Sequence, residues 1–311
     1  MQTNRSLFRA AVRSLCLFFV FSGLTGCSLL ESEPVPETST YDLDLTHLRQ
    51  LAKSVPGDRP TEIRRVLIGE AALPGALMMA GRSWDGVKMS HVAFQLRRAD
   101  GSFDVIDSAQ DQDRHEEMPG AGPFSADGWN DLQNALERAE QVLITHEHAD
   151  HIAGVAVHPR PDVLVSRLRL NEAQLANAAA LEAVDFPAAL AEGLEPLRFD
   201  ARGATAVSPG VVVKEAAGHT PGNQIVFVQL ADDRELLFVG DVVWNLDALT
   251  ELAYRPRLIT DWIIDEDRDA GLNQLRALRD LLDSDEAVHI VIAHDDRTHA
   301  HPAIREGLVL P

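Results

Sequence analysis

Thr145-His146-Glu147-His148-Ala149-Asp150-His151 places three imidazoles and a carboxylate within six residues. Nitrogen and oxygen donors at this density are what Zn²⁺ and related divalent ions take. The run begins where an apolar, β-branched segment, Gln141-Val142-Leu143-Ile144-Thr145, ends, and that segment reads as a buried strand. Past a strand end the chain stays extended briefly and alternate side chains face the same way. His146, His148 and Asp150 are therefore expected on one side. Ile152-Ala153-Gly154-Val155-Ala156 reads as a helix start, and helical onset is expected to swing His151 in another direction. One short run can then serve two metal ions.

Three later segments end in the same manner. Ala217-Gly218-His219-Thr220-Pro221-Gly222 offers His219, Phe238-Val239-Gly240-Asp241 offers Asp241, and Ile290-Val291-Ile292-Ala293-His294 offers His294. Each follows an apolar, strand-like run. His299 and His301 lie close by, but in a polar stretch, whereas His294 ends an apolar strand. The remaining histidines, His47, His91, His115, His158, His289, His299 and His301, read as surface or core residues.

Taken together, the run and its three followers resemble the H-x-H-x-D-H signature of the metallo-β-lactamase-fold hydrolases, over roughly residues 63–300. Asp107, after Phe103-Asp104-Val105-Ile106, resembles the early structural aspartate of that fold. Periodicity alone indicates a mixed α/β domain. The resemblance implies more: a four-layer αββα sandwich of two mixed sheets with outer helices. It assigns His146, His148 and His219 to one metal and Asp150, His151 and His294 to the other, with Asp241 bridging. The implied cofactor is two Zn ions, other divalent transition metals being alternatives. The implied chemistry is hydrolysis by a metal-bridging hydroxide, with Asp150 and Asp241 as its catalytic carboxylates. No Gly-x-Ser-x-Gly elbow is present.

The substrate class follows by comparison of branches. Enzymes of the β-lactamase branch lack a bridging aspartate, so Asp241 points to lactonases, thioesterases and phosphodiesterases. Lactonases often carry a tyrosine just past that aspartate; here Trp244 holds the place, and outside the leader the tyrosines are Tyr41 and Tyr254. A small-molecule ester or lactone of an uncharged, apolar compound is the expected substrate. A phosphodiester, amide or β-lactam on the same site is the alternative. A di-iron redox protein or a non-catalytic metal-binding lipoprotein is the alternative of another class. Leu73-Pro74-Gly75-Ala76-Leu77-Met78-Met79 is expected to supply an apolar cleft through Met78 and Met79, with Trp84 and Trp244 as aromatic walls.

The first 26 residues read as a lipoprotein signal peptide. Arg5, Arg9 and Arg13 form a basic stretch without acids. Leu15–Phe21 is apolar but too short to span a bilayer, and Leu24-Thr25-Gly26-Cys27 resembles a lipoprotein cleavage box with Cys27 as the acylated residue. The expected location is the bacterial cell envelope, lipid-anchored, with Ser28 after the cysteine pointing to the outer membrane facing the periplasm. Cys16 and Cys27 are the two cysteines, so neither a disulfide nor a thiolate ligand is expected in the processed chain. Net charge is −20, and removing those three arginines makes it −23. Such a field repels polyanions and argues against nucleic acid as a partner.

Residues 27–44 read as a flexible tether rich in Pro, Glu, Ser and Thr, and 45–311 as a single domain. Within it, strands are expected near 66–68, 91–96, 103–106, 211–214, 225–230, 235–239 and 289–293, with a turn at Arg98-Ala99-Asp100-Gly101. Helices are expected from Ser125 or Asp127 to Ala139, over 171–183, over 186–192, and over 267–283 with Leu272, Leu275, Leu278 and Leu282 on one face.

Overall fold

The computed structural model describes residues 26–284 and 286–310. The expected leader up to Thr25 therefore lies outside the described residues. Among the described residues, no helix is long and apolar enough to cross a membrane.

Two sheets face one another. The first is built on a long hairpin, β1 (Glu62–Pro74) and β2 (Gly86–Arg97), and continues through β3 (Phe103–Ile106), β5 (Val142–Leu143) and β6 (Leu168–Arg169). β12 (Ile304–Glu306) and β4 (Ala121–Phe124) both pair with β1. β3, β5 and β6 run parallel, while β1, β2 and β3 are antiparallel, so the sheet is mixed. The second sheet has the order β11-β10-β9-β8-β7, from Val288–Val291, Glu235–Phe238, Gln224–Gln229, Val211–Glu215 and Ala204–Ser208. It is antiparallel except for the β10–β11 pair.

Period-two alternation builds three hydrophobic layers from these strands. Val211 and Val213 of β8, Val226 and Val228 of β9, and Leu236 and Phe238 of β10 meet Val92, Phe94, Leu96 and Ile106 between the sheets. The intervening Val212, Ile225, Phe227 and Leu237 face outward, onto helix α1 (Leu45–Ala52) and the long C-terminal helix. On the far side of the first sheet, Ala93, Phe103, Val105 and Val142 pack under Leu132 and Leu136 of the helix Ala126–Leu136 and Ile152 and Val155 of Ala149–Ala156. Strands covered on both faces read as continuous apolar runs, which is why β9 and β10 are buried at every residue. The result is the four-layer αββα sandwich.

In chain order the other helices used below are α2 (Gly75–Met78), α3 (Gln112–Glu117), α4 (Ala126–Leu136), α5 (Ala149–Ala156), α6 (Glu172–Ala176), α7 (Leu246–Glu251), α8 (Arg257–Ile259), α9 (Arg268–Asp283) and α10 (Asp296–His299). Ser125 caps α4 through its hydroxyl, which accepts from the Gly128 amide at 3.1 Å.

Several expectations are corrected. The single helix over 171–183 is broken: Asn171 caps α6 in a full capping box, and Asn177 then caps a second helix, Ala178–Ala183. A short amide side chain competes with the helical backbone, so Asn177 ends one helix and starts the next. In α9 the buried face holds Leu272, Leu275, Leu278 and Leu281, while Leu282 is 43% exposed. The tether is docked from Glu31 onward. Glu31 O accepts from the Arg257 amide at 2.9 Å, Glu33 pairs with Arg257 and Arg268, and Thr40 donates to Asn273 Oδ1. Its acids and carbonyls find fixed donors on α8 and α9, and Val35, Tyr41 and Leu43 pack against the core.

Two of the leucines of α9, Leu275 and Leu282, give a direct check of its register. Leu275→Ala, at a fully buried position, should lower the unfolding free energy by about 2–5 kcal/mol. Leu282→Ala should stay within about 0.5 kcal/mol of the parent. Urea unfolding followed by circular dichroism measures both; equal costs would contradict the observed face.

Candidate metal centre

The centre lies where loops leave the ends of strands from both sheets. From the first sheet, β5 ends at Leu143 and the chain runs through Ile144 and Thr145 into the histidine run. His148 is the N-cap of α5, so helical geometry begins at Ala149, earlier than expected. Asp150 therefore already lies in the first turn and diverges from His146 and His148 rather than sharing their side. From the second sheet, the loops after β8, β10 and β11 deliver His219, Asp241 and His294.

Three groups of side chains each converge closely enough to hold a metal ion: His146, His148 and His219; His146, His151 and Asp241; and His91, Asp150 and His294. The carboxylate of Asp241 lies between the two halves. Its Oδ2 is 3.7 Å from His146 Nε2 and 3.4 Å from His219 Nε2. Its Oδ1 is 3.3 Å from His151 Nε2 and 3.1 Å from His294 Nε2. Asp150 Oδ2 completes the second half, 3.6 Å from His151 Nε2 and 3.5 Å from His294 Nε2. His219 Nε2 and His148 Nδ1 are 3.0 Å apart, and His151 Nε2 and His294 Nε2 are 3.3 Å apart. Two ligands of a tetrahedral ion with bonds of about 2.0–2.1 Å stand about 3.3 Å apart. The spacing of these donors fits that shell.

The outer hydrogen bonds set the tautomers. His294 Nδ1 donates to the Ser90 carbonyl at 2.9 Å, so its Nε2 carries the lone pair. His219 Nδ1 donates to Glu266 Oε1 at 2.6 Å, and His151 Nδ1 to Asp107 Oδ2 at 2.8 Å. Asp107, at φ 62°, also accepts from the Thr145 amide at 2.7 Å. Each inner nitrogen is thereby aimed at the centre; burial opposes a charged ring, but the carboxylates of Asp241, Asp107, Asp150 and Glu266 hold His151, His219 and His294 above the ordinary imidazole pKa, so a metal ion would bind there in exchange for protons. His146 Nε2 and Asp241 Oδ1 are buried without a hydrogen-bond partner. Orphaned buried acceptors cost about 1–3 kcal/mol each, and a cation at the centre satisfies both. Burial holds the His146 imidazole well below its ordinary pKa and takes His148 down to about 4, so both are neutral near pH 7. The residues fit a metal pair.

Four further residues hold the centre in shape. Glu147, the non-ligand of the run, accepts from Thr220 Oγ1 at 2.7 Å, from the Gly222 amide at 3.2 Å and from Asn177 Nδ2 at 2.8 Å. It thus ties the His219 loop to the His146 loop, across the two sheets. A Cβ at Gly222 would lie 2.3 Å from Gln174 Cγ and 2.7 Å from Glu147 Oε2, so this close approach admits only glycine. Glu266 pairs with Arg255, whose Nε is 2.9 Å away, and both side chains are buried. Burial opposes the ionised form of Glu266, but the Arg255 guanidinium and His219 outweigh it and bring its pKa to about 2. The Arg255 guanidinium also lies 4.8 Å over the Trp244 ring. Glu266 and Arg255 were missed in the sequence because they stand in the long connection between β10 and β11, with no spacing to the ligands that marks them. The bond from Glu147 depends on a fold contact that no local pattern reveals.

The expected cleft is corrected. Met78 and Met79 are each 2% exposed. Met78 packs with Met89, Trp244 and Ile259 beneath the site, and Met79 joins the core under α9. As α2 turns, its partly exposed face carries Leu77 instead. Leu73, Leu77, Val87 and Ile264 are the partly exposed apolar side chains packed against the cluster that contains Trp244. Trp244 does stand at the centre, donating Nε1–H to Asp241 Oδ2 at 2.7 Å. Trp84 is 61% exposed on the loop before β2, and no ring contact joins it to the site among the described residues. His299 donates Nε2–H to the Ile292 carbonyl, and His301 stacks on His289, which leaves His294 as the member of that cluster at the centre.

Glu266→Gln keeps the shape but removes the charge that orients His219. It should weaken zinc binding about 10–100-fold with the circular dichroism spectrum unchanged. Chelator competition measures it, and an unaltered affinity would exclude an orienting role.

A sequence profile of the Metallo-beta-lactamase superfamily matches residues 105–294. No curated protein sequence matches the chain. Among solved structures, a quorum-quenching N-acyl homoserine lactone lactonase superposes with a TM-score of 0.59 at 14% identity, covering 78% of this chain and 95% of its own. A probable metal-dependent hydrolase from Staphylococcus aureus gives a TM-score of 0.59 at 13% identity, covering 78% and 91%. A dizinc quorum-quenching lactonase in complex with its homoserine product gives 0.52 at 12% identity, covering 81% and 93%. At these identities the structural likeness is one of fold; with the profile match across the strands and loops that carry the centre, the chain belongs to the metallo-β-lactamase superfamily of metal-dependent hydrolases.

Proposed function

We propose that the chain is a dinuclear zinc hydrolase of a carboxylic ester or lactone with uncharged, apolar substituents. The observation that carries this reading is the position of the Asp241 carboxylate between the two halves, with Oδ2 facing His146 and His219, Oδ1 facing His151, and both oxygens 3.1–3.2 Å from His294 Nε2. The ligands are His146, His148 and His219 for one ion, Asp150, His151 and His294 for the other, and Asp241 for both.

When bound, the two ions supply a hydroxide from water at neutral pH and an electrophile for the carbonyl oxygen. The protein's own groups do the rest. His148, Ala149 and Asp150 are the partly exposed members of the run, so substrate reaches the centre on their side. Asp150 Oδ2 is an acceptor that orients the attacking water. Trp244 fixes Asp241 through its indole N–H and presents an apolar face, with Leu73, Leu77 and Ile264 around it. Those side chains suit an acyl chain or ring and exclude water from it. Tyr254 is buried and its hydroxyl accepts from Arg255 Nη2 at 2.6 Å, so no phenol stands at the centre as it often does in lactonases. The net charge of −20 disfavours multiply anionic substrates, which weighs against phosphodiesters.

Purified chain should hold two zinc ions by elemental analysis, and His294→Ala should lose one. Asp241→Asn, which removes the charge between two dications, should lower turnover of aryl esters or lactones by at least about 100-fold. Within a series of acyl lengths, kcat/KM should rise with length and Leu77→Ala should flatten the rise. Full activity in Asp241→Asn, with the fold intact, would sink the mechanism; a length-independent rate would remove the apolar-substrate reading alone.

We further propose that the chain is exported and held at the cell envelope by acylation of Cys27, on the outer membrane facing the periplasm. The basic stretch, the short apolar segment and the Leu24–Cys27 box support this. Mass spectrometry of the native N-terminus should find a diacylglyceryl cysteine, and Cys27→Ser should leave the membrane fraction. A variant that stays with the membranes would count against the anchor.

A further inference from the structure

β2 carries a sixth imidazole to the centre. The His91 side chain is 0% exposed, and its Nε2 lies 3.8 Å from Asp150 Oδ2. Its ring stands edge-on to that of His294, centroids 5.5 Å apart. Asp150 Oδ2 is thus surrounded by three imidazole nitrogens, of His91, His151 and His294. Neither nitrogen of His91 has a hydrogen-bond partner, which is uncommon for a buried polar group. His91, Asp150 and His294 form one of the groups whose donor atoms all lie within 4.8 Å of one another.

The surroundings are built to put it there. His91 pairs in register with Gly69 of β1, and the pairing shifts by one residue between Leu67 and Gly69. A bulge of this kind re-aims side chains beside a site. Gly69 in turn makes room for His115 of α3, since a Cβ there would lie 2.6 Å from the His115 ring. His115 donates Nε2–H to the Gly122 carbonyl at 3.0 Å, so its Nδ1 keeps a lone pair, and this too is buried without a partner. Its ring stands edge-on to His91, centroids 5.7 Å apart. A side chain that merely fills the core needs no such arrangement, and an apolar residue would fill it at lower cost.

We infer that His91 is an additional nitrogen ligand of the ion held by Asp150, His151 and His294, bound through Nε2. This rests on the dinuclear reading above. The added imidazole brings the second half to three nitrogens, His91, His151 and His294, matching the three that His146, His148 and His219 supply to the first. It favours a borderline transition metal at the second position over a hard, oxygen-seeking ion.

The test uses the full chain loaded with two equivalents of cobalt(II). Its paramagnetic proton spectrum resolves the exchangeable N–H of each ligating imidazole. His91→Phe keeps an aromatic ring and removes the nitrogens; His91→Gln is the second variant, read in the same way if the first does not fold. The expected result is one fewer shifted N–H signal and a second cobalt ion bound about 10–100-fold more weakly, with the first ion unchanged. Retention of all signals overturns the inference, whether or not affinity falls, since a positioning residue alters affinity without adding a signal. Parent protein that binds no cobalt overturns the dinuclear reading itself, while two tightly bound ions in both parent and variant overturn the role of His91 alone.

Discussion

Everything about the centre follows from one constraint: a cluster of imidazoles and carboxylates is buried where water cannot solvate it. Asp241 is 3% exposed, and His146, His151, His219 and His294 are each 2% or less. Unpaired, such groups carry a desolvation cost that a small domain does not readily bear. Hydrogen bonds to Asp107, Glu266 and Ser90 satisfy the outer nitrogens of three rings, and nothing in the protein satisfies His146 Nε2 or Asp241 Oδ1. Positive charge between the rings resolves the deficit. Much of the architecture exists to hold these lone pairs at metal-ligand spacing until it arrives.

The two sheets make that possible by division of labour. Each contributes loops at one end of its strands, and the inter-sheet core of valines, leucines and phenylalanines fixes the distance between those ends. The loops would still be free to drift were they not tied laterally. Glu147 performs that tie, reaching from the His146 loop to Thr220 and Gly222 on the other sheet. Arg255 supports the arrangement from below, pairing with Glu266 and lying over the Trp244 ring. The charge of a buried guanidinium is thereby used twice: it keeps Glu266 ionised against His219, and it packs against the indole that donates to Asp241.

The same frame explains how an apolar cluster around Trp244 coexists with a strongly acidic protein. Met78 and Met79 fill the floor, where adaptable thioether side chains pack closely under Trp244 and α9. Leu77, one position earlier in the same turn, is left part-exposed. A shift of one residue in a helical turn rotates a side chain by about 100°, and that rotation decides which apolar residue stays part-exposed and which is buried in the core.

Much of the centre was legible in the linear sequence, because its ligands end apolar runs and because buried strands have a composition of their own. The central strands of both sheets, the helix capped at Ser125 and the positions of His146, His148, His219, Asp241 and His294 can be found that way, whereas the short strands β4, β6, β7 and β12 and the full length of β1 were not read from the sequence. What the sequence by itself determined is the local chemistry: which residues are donors, and which segments are too apolar to stay in water. Only the tertiary structure decided which donors meet. The onset of α5 at Ala149 separates Asp150 from His146 and His148, the segment between α8 and α9 brings Glu266 under His219, and the register shift between β1 and β2 falls beside His91, whose Nε2 lies 3.8 Å from Asp150. The reason is that a side chain's direction depends on where a helix begins or a strand slips by one residue, and those choices are made by packing against distant elements rather than by the neighbours in the chain.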